Sequence, residues 1–124
     1  MHVLVTGGAG FIGRRLAAAL LSRGDQVRVL DNFDDAYDPT LKSVPDGVEL
    51  VRGDVCDAGT VRRALHGIDG VCHLAGRAGV RESIESPGPY VRNNVAGTLT
   101  LLEAMANRHV RRMVFASSSS VYGS

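Results

Sequence analysis

The chain has 124 residues, of which 44% are hydrophobic and 22% charged, and its formal net charge is +1. This length and composition predict one globular domain, residues 1–124, that buries roughly two-thirds of its unfolded surface. The near-zero charge favours neither nucleic acid nor a membrane surface as a partner, and no apolar stretch approaches the ~20 residues of a membrane span.

Short apolar runs alternate with helical patterns along the chain, and this order predicts a parallel sheet. The strands are expected at residues 2–5, 26–30, 48–52, 70–74 and 112–116. Right-handed crossovers give the strand order 3-2-1-4-5, a Rossmann-like doubly wound α/β fold that stops after its fifth strand. Ligands of such sheets bind at the carboxyl ends of the strands, where we expect Gly7, Asp31, Asp54, Leu74 and Ser118.

Three helices are predicted between the strands. The first covers residues 10–23 and stops at Gly24, the second has Asp57 as its N-cap, and the third starts near Pro89. Their apolar faces consist of Ile12, Leu16 and Leu20 in the first, Val61 and Leu65 in the second, and Val91, Val95, Leu99, Leu102 and Ala106 in the third. Residues 34–47 are polar, contain two prolines and are expected to form a loop.

The segment TGGAGFIG at residues 6–13 follows the first strand directly and opens the first helix. Gly7 permits a sharp turn, Gly10 removes a side chain where the backbone approaches phosphate, and Gly13 lets the helix pack against the strand. Free N–H groups and the dipole at a helix N-terminus favour an anion. The pattern predicts a site for the pyrophosphate of a dinucleotide; the alternative is a tight turn that binds nothing.

Asp31 ends the second strand, 18 residues after Gly13. A carboxylate at this position accepts hydrogen bonds from the adenosine ribose and repels a 2′-phosphate. Asn32 and Phe33 follow it instead of an arginine, so the sequence favours NAD over NADP. The alternative is that Asp31 is only a turn residue.

Several motifs together resemble the extended short-chain dehydrogenase/reductase family, and within it the NAD-dependent nucleotide-sugar epimerases and dehydratases. These motifs are TGGAGFIG at residues 6–13, Asp31-Asn32, GDV at 53–55, HLAG at 73–76, NNVAGT at 93–98 and SSSSVYG at 117–123. AGVRES at residues 78–83, with Pro87 and Tyr90-Val91, is similar to the UDP-glucuronate 4-epimerase branch. The resemblance covers nearly the whole chain and implies transient C4 oxidation of a UDP-sugar by NAD in a full-length enzyme.

The resemblance also implies a set of site residues. The cofactor contacts would be Gly7, Gly10, Phe11, Ile12, Gly13, Asp31, Asn32, Asp54, Val55, Leu74, Ala75 and Gly76. Ser118 matches the catalytic serine/threonine position of the family, Arg81 is a candidate substrate contact, and no metal is expected. Considered alone, Asp54 could satisfy a turn and Arg81 could be a solvated charge. Residues 117–120 could be a linker by composition, although the position of this serine run after a strand favours an ordered site loop. His73 is expected to be a packed histidine.

Two features depart from the family pattern. The segment between Asn32 and Val48 is shorter than the helix-bearing segment of relatives. The catalytic Tyr-x-x-x-Lys of the family is also absent, because Lys42 is the only lysine and no tyrosine precedes it by four residues. This tyrosine is the base that takes a proton from the sugar hydroxyl, and the lysine lowers its pKa. We therefore expect a truncated cofactor-binding half, without the substrate domain, that binds NAD and is inactive by itself. The alternatives are a stand-alone dinucleotide-binding or sensing module and an assembly subunit without catalysis.

The expected partners are NAD and, in a full-length parent, a UDP-sugar. The edge of the fifth strand, residues 112–116, carries unpaired backbone groups and is expected to pair with a second copy in a homodimer. Cys56 and Cys72 lack CxxC spacing and are expected to be free, buried thiols of a cytoplasmic protein. Met1 leads directly into the first strand, which leaves no room for a signal peptide.

Overall fold

The computed structural model describes residues 1–34 and 39–123. Its strands are β1 (His2–Thr6), β2 (Gln26–Asp31), β3 (Glu49–Arg52), β4 (Gly70–His73) and β5 (Arg112–Phe115), each bounded within one residue of the prediction. They form one parallel sheet in the predicted order β3-β2-β1-β4-β5. Thr6 aligns with Leu30 on one side and with His73 on the other, so the carboxyl ends of the central strands lie together.

The helices are α1 (Phe11–Ser22), α2 (Ala58–Ala64), α3 (Val80–Glu85), α4 (Pro87–Tyr90) and α5 (Gly97–Asn107). A π-helical segment, Val91–Ala96, joins α4 to α5, and 3-10 turns cover Pro39–Leu41 and Ser119–Tyr122. Asp57 caps α2 as predicted, because its side chain accepts hydrogen bonds from the first turn of the helix. In the segment predicted to be a loop, residues 35–38 lie outside the described residues, and residues 42–46 have no regular structure.

Helices cover both faces of the sheet and form two cores. On one face α2 and α5 pack against the sheet through Val61, Leu65 and Leu101, all fully buried. On the other face α1 packs through Ala17 against Val29 and its neighbours in the sheet. Across residues 1–34 and 39–123, no helix is both long enough and apolar enough to cross a membrane.

One predicted helix face is wrong, and another is right only in part. Ile12 is 67% exposed, because α1 approaches the sheet through its small residues Gly13 and Ala17, while Leu16 and Leu20 are only partly buried. The predicted stripe of the third helix also faces outward: its exposed members are Val91, Val95, Leu99, Leu102 and Ala106. The buried face of α5 consists of Gly97, Leu101, Ala104 and Met105.

Close packing at Gly97 explains the orientation of α5. A Cβ added at Gly97 would lie 2.6 Å from Cγ1 of Val55, so a larger residue would push the helix away from the sheet. The π-helical segment before it also changes the residue spacing, which breaks the 3.6-residue period used for the prediction.

Both cysteines are free thiols, as predicted, but they are half-buried and not fully buried. Burial, together with the charge of Asp54, raises the pKa of Cys56, and burial raises the pKa of Cys72. Both thiols are therefore less ionised than an exposed cysteine at neutral pH.

The outer strand β5 is only partly covered; by alternation Met113 and Phe115 lie on one face and Val114 on the other. Met113 contacts the core beneath α5, whereas Val114 and Phe115 are 65% and 54% exposed. The 3-10 turn Ser119–Tyr122 follows without covering these side chains, and its own Tyr122 is 90% exposed. The outer edge and one face of β5 are therefore accessible.

Candidate functional site

Two glycines of the turn after β1 lie too close to backbone atoms to carry a side chain. Gly7 has φ +70°, and a Cβ at this residue would lie 2.8 Å from the backbone nitrogen of Ala75. A Cβ at Gly13 would lie 2.7 Å from the Cα of Gly8 and would overlap the carbonyl oxygen of Gly7. Gly7 therefore makes the turn, and Gly13 lets α1 begin directly against it.

Gly10 differs from these two glycines. Its φ of −75° and ψ of 179° are open to any residue. A Cβ would approach only the carbonyl oxygen of Gly7, at 3.4 Å. The fold does not require glycine at this position, and a side chain added there would take up space in front of the N-terminus of α1.

A cavity of about 240 Å³ lies in front of the turn. It brings together nine of the predicted cofactor contacts: Gly7, Gly10, Asp31, Asn32, Asp54, Val55, Leu74, Ala75 and Gly76. The residues that line it without having been predicted are Leu30, Asp34, Lys42, Arg77, Ala78 and Asn93. The cavity is therefore built from the carboxyl ends of β1, β2 and β4 and from the segments after β2 and β3.

Asp31 is the buried acid of this cavity. One carboxylate oxygen accepts a hydrogen bond from the N–H of Ala9, at 3.0 Å, which ties it to the glycine turn. The other accepts from the N–H of Phe33, at 2.7 Å, and from Nζ of Lys42, at 3.2 Å. The short segment after the 3-10 turn Pro39–Leu41 thus delivers the only lysine of the chain to Asp31.

Asp54 lies at another wall of the cavity. Its carboxylate accepts from the N–H of Cys56 and from the guanidinium of Arg92, each at 2.8 Å. Desolvation raises the pKa of Asp54, but these hydrogen bonds and the charge of Arg92 outweigh it and bring the pKa below its ordinary value of 3.8. Asp54 therefore satisfies its own turn and also lines the cavity.

A second, wider cavity of about 800 Å³ lies on the side of β4 and β5. It holds two predicted residues that the first cavity lacks, Ile12 and Ser118. The Oγ of Ser118 accepts from the N–H of Ser120, at 3.1 Å, which orders the serine run as a 3-10 turn. Residues 74–78 line both cavities and form the boundary between them.

His73 lines the second cavity. It is 2% exposed, as expected for a packed histidine, and its ring contacts the hydroxyls of Thr6 and Thr98, at 2.6 Å and 2.9 Å. The Thr98 hydroxyl donates to the carbonyl oxygen of Asn94, so it accepts from His73 Nε2, and Nδ1 accepts from Thr6. This assigns the neutral Nε2–H tautomer, and burial lowers the pKa of His73 below its ordinary 6.5.

Three predicted residues line neither cavity. The ring of Phe11 is exposed and lies 3.9 Å from the guanidinium carbon of Arg15. Gly13 packs inside the turn, and Arg81 is an exposed residue whose Nε pairs with Glu85, at 3.4 Å. Among the described residues, no cluster of histidine, cysteine, aspartate or glutamate is suited to hold a metal ion.

Four of the six unpredicted residues of the first cavity have polar side chains: Asp34, Lys42, Arg77 and Asn93. Two of them had a visible signal, because Asn93 belongs to the NNVAGT motif and Lys42 is the only lysine. The others become visible only when β2 and β4 are placed on either side of β1.

The model of the NAD dependent epimerase/dehydratase family matches residues 3–124. Among curated relatives, UDP-glucuronate 4-epimerase 3 of Arabidopsis thaliana is 46% identical over 130 residues, covering 98% of this chain and 30% of that protein. UDP-glucose 4-epimerase of Corynebacterium glutamicum is 42% identical over 123 residues, covering 99% of this chain and 36% of that protein. The chain thus spans about a third of the length of these relatives.

Solved structures of similar fold are also UDP-sugar epimerases. UDP-glucose 4-epimerase from Thermus thermophilus, in complex with NAD, superposes with a TM-score of 0.85 at 42% identity, covering 95% of this chain and 38% of that one. UDP-glucose 4-epimerase from Bifidobacterium longum, in complex with NAD+ and UDP, superposes with a TM-score of 0.86 at 37% identity, covering 99% of this chain and 38% of that one.

Proposed function

Since the chain belongs to the NAD dependent epimerase/dehydratase family, we propose that it binds NAD as the cofactor-binding part of a UDP-sugar 4-epimerase. The observation that carries the proposal is the cavity in which the glycine turn, Asp31 and residues 74–76 come together. Solved relatives of similar fold hold NAD, which supports the same cofactor here.

The residues present fit a dinucleotide. Gly10 leaves open space in front of the N-terminus of α1, where backbone N–H groups favour a diphosphate. Asp31 supplies acceptors for the adenosine ribose in the first cavity, and Ile12 and Ser118 line the second cavity, on the nicotinamide side. NAD, when bound, supplies a hydride acceptor; the residues of this chain hold and orient it.

Asp31 also supports NAD over NADP. Lys42, the cation that donates to the carboxylate at 3.2 Å, is already paired with Asp31 and is not free for a 2′-phosphate. Placing a dianion beside a buried carboxylate costs several kcal/mol in the absence of a new partner. We expect calorimetric titration to give an affinity for NAD at least about tenfold higher than for NADP. Equal or stronger NADP binding would contradict the role of Asp31.

The reaction of a full-length enzyme would be hydride removal at C4 of a UDP-sugar and return of the hydride to the opposite face. Ser118 lines the second cavity and would face the sugar. Within these 124 residues, no tyrosine is followed four residues later by a lysine. A serine hydroxyl without a base is a weak proton acceptor. The chain assayed alone should therefore not turn over UDP-glucuronate or UDP-glucose.

A coupled assay with NAD and both UDP-sugars tests this part of the proposal. The expected result is no turnover above that of the Ser118→Ala variant. NAD-dependent turnover that Ser118→Ala abolishes would show that another residue of this chain acts as the base.

We also propose that the isolated chain forms a homodimer through the free edge of β5. Val114 and Phe115 are exposed beside this edge, and unpaired strand edges associate readily. A two-fold pairing would be antiparallel and would extend the sheet across two chains. Sedimentation at micromolar concentration should detect a dimer, and a clean monomer would contradict it.

A cytoplasmic location is proposed as well, since free thiols such as Cys56 and Cys72 persist in a reducing compartment.

A further inference from the structure

Arg77 lies at the boundary between the two cavities. Residues 74–78 line both, and Arg77 is the one charged residue among these five. A dinucleotide that occupies both cavities must place the diphosphate that joins its halves at this boundary. Arg77 is therefore the cationic side chain of the boundary segment.

The side chain of Arg77 crosses over the glycine turn. In the sheet β1 lies between β2 and β4, with Asp34 after β2 and Arg77 after β4. Arg77 Nη1 donates to Oδ2 of Asp34 at 3.2 Å, so this ion pair spans the carboxyl end of β1. Gly7 and Gly10 line the same cavity as the pair.

The backbone of Arg77 is fixed while its side chain is incompletely bonded. The Asn94 side chain accepts from the Arg77 N–H at 2.7 Å and donates to its carbonyl oxygen at 3.0 Å. Nε of Arg77 is buried and has no hydrogen-bond partner within residues 1–34 and 39–123. A buried donor without a partner is unfavourable, so a movement of the side chain that gives this N–H an acceptor is favoured.

The other arginines near the turn are directed elsewhere. Arg14 and Arg15 on α1 donate to the carbonyl oxygens of Leu41 and Phe11. The N-terminus of α1 thus offers backbone N–H groups. Of the two cations that line the first cavity, Lys42 is bonded to Asp31, and Arg77 lies on the boundary segment. A guanidinium presents its donors in a planar fork that matches phosphate oxygens.

We propose that Arg77 binds the diphosphate of the cofactor, and that Asp34 holds its guanidinium across the cleft until the diphosphate takes its place. The proposal rests on the proposed function, because it needs a dinucleotide in the two cavities. Asp34 then competes with the ligand for Arg77, so the two residues have opposite effects on diphosphate binding. A purely structural ion pair would give both residues the same effect.

Calorimetric titration with ADP-ribose and with adenosine tests the proposal. Arg77→Gln should weaken ADP-ribose binding about tenfold, the order expected for one charge-assisted hydrogen bond that is partly exposed, and leave adenosine binding unchanged. Asp34→Asn should strengthen ADP-ribose binding several-fold, because it releases Arg77. Arg108→Gln is the matched control: it removes the same charge at the exposed end of α5, on the opposite edge of the sheet.

The double variant separates release of Arg77 from simple removal of a negative charge. If Asp34 acts by holding Arg77, the gain from Asp34→Asn shrinks in the Arg77→Gln background; an undiminished gain would overturn the role of Asp34. If ADP-ribose binds more weakly to both single variants, the ion pair stabilises the structure of the site. If ADP-ribose binds more tightly to both, the ion pair obstructs the site. Either result overturns the proposal. Wild-type protein that binds no ADP-ribose overturns the proposed function itself, whereas normal binding with Arg77→Gln unaffected overturns the role of Arg77 alone.

Discussion

Gly7 and Gly10 lie in one turn, yet a side chain should have opposite consequences at the two positions. In Gly7→Ala the residue must keep φ near +70°, which costs an L-residue about 1–2 kcal/mol. Its Cβ would also lie 2.8 Å from the backbone nitrogen of Ala75, so one of the two loops must shift. We expect a total loss of about 2–4 kcal/mol of unfolding free energy. For a chain of this size this lowers the melting temperature by roughly 10 °C.

Gly10→Val should spare the fold and abolish binding. The backbone conformation at Gly10 suits valine, and the Cβ meets only the carbonyl oxygen of Gly7, at 3.4 Å. The loss of unfolding free energy should stay within about 1 kcal/mol, the difference between glycine and a poor N-cap residue. The branched side chain would, however, take up the space where the diphosphate meets the N-terminus of α1.

Thermal unfolding and calorimetric NAD titration of both variants measure the two effects. Gly7→Ala should melt well below the wild type, whereas Gly10→Val should melt near it and show no NAD binding. A folded Gly10→Val that binds NAD as the wild type does, or a Gly7→Ala that melts at the wild-type temperature, would contradict the roles assigned to these two glycines.

Three further predictions concern other parts of the molecule. Asp31→Ala should narrow the difference in affinity between NAD and NADP, measured by calorimetry; an unchanged difference would contradict the role of this carboxylate. Because burial lowers the pKa of His73 below 6.5, the unfolded chain binds a proton that the folded chain does not, so unfolding free energy should fall as pH drops below about 6.5. His73 contributes at most about 1.4 kcal/mol per pH unit to the slope of unfolding free energy against pH. Urea unfolding between about pH 7.5 and 5.5 should give a smaller slope for His73→Asn than for the wild type. An equal slope in the two proteins would contradict the lowered pKa of His73. The Ala116 N–H donates to β4, so by alternation the Phe115 N–H faces the free edge of β5. Phe115→Pro removes this donor and should weaken the dimer measured by sedimentation. An unchanged dimer would exclude this edge as the interface.

The strand order and the glycine turn were predictable because their signals are local. Apolar runs mark the strands, and right-handed crossovers leave few arrangements for them. The turn is marked by glycines whose reasons lie within a few residues, such as the positive φ of Gly7. Asp31 follows from its position at the end of β2.

Helix orientation was less predictable because it depends on contacts across the core. Ile12 satisfies an apolar period, but α1 approaches the sheet through Gly13 and Ala17, which leaves Ile12 exposed in the second cavity. The stripe containing Leu99 fails for the same reason, since Gly97 sets which face of α5 meets Val55. In both helices the prediction overlooked the small residues Gly13, Ala17 and Gly97, which make the close contacts that set the buried face.

Four of the seven polar side chains that line the first cavity also escaped prediction, for a related reason. Lys42 and Asp34 come from the segment after β2, and Arg77 from the segment after β4. These residues come together because of the sheet order and because Asn94 holds the backbone of Arg77. Neither cause leaves a spacing pattern in the sequence. The ion pair between Asp34 and Arg77 becomes visible only in three dimensions.

Titration of the ¹⁵N-labelled chain with NAD, followed through its amide signals, shows whether the carboxyl edge of the sheet binds NAD. We expect saturable shifts of the amides at residues 7–13, at Asn32 and at residues 74–77. The amides of Gly24 and Gly67, in turns at the opposite edge of the sheet, should stay unchanged. Shifts centred on the opposite edge, or none at millimolar NAD in the folded chain, would contradict NAD binding at the carboxyl edge.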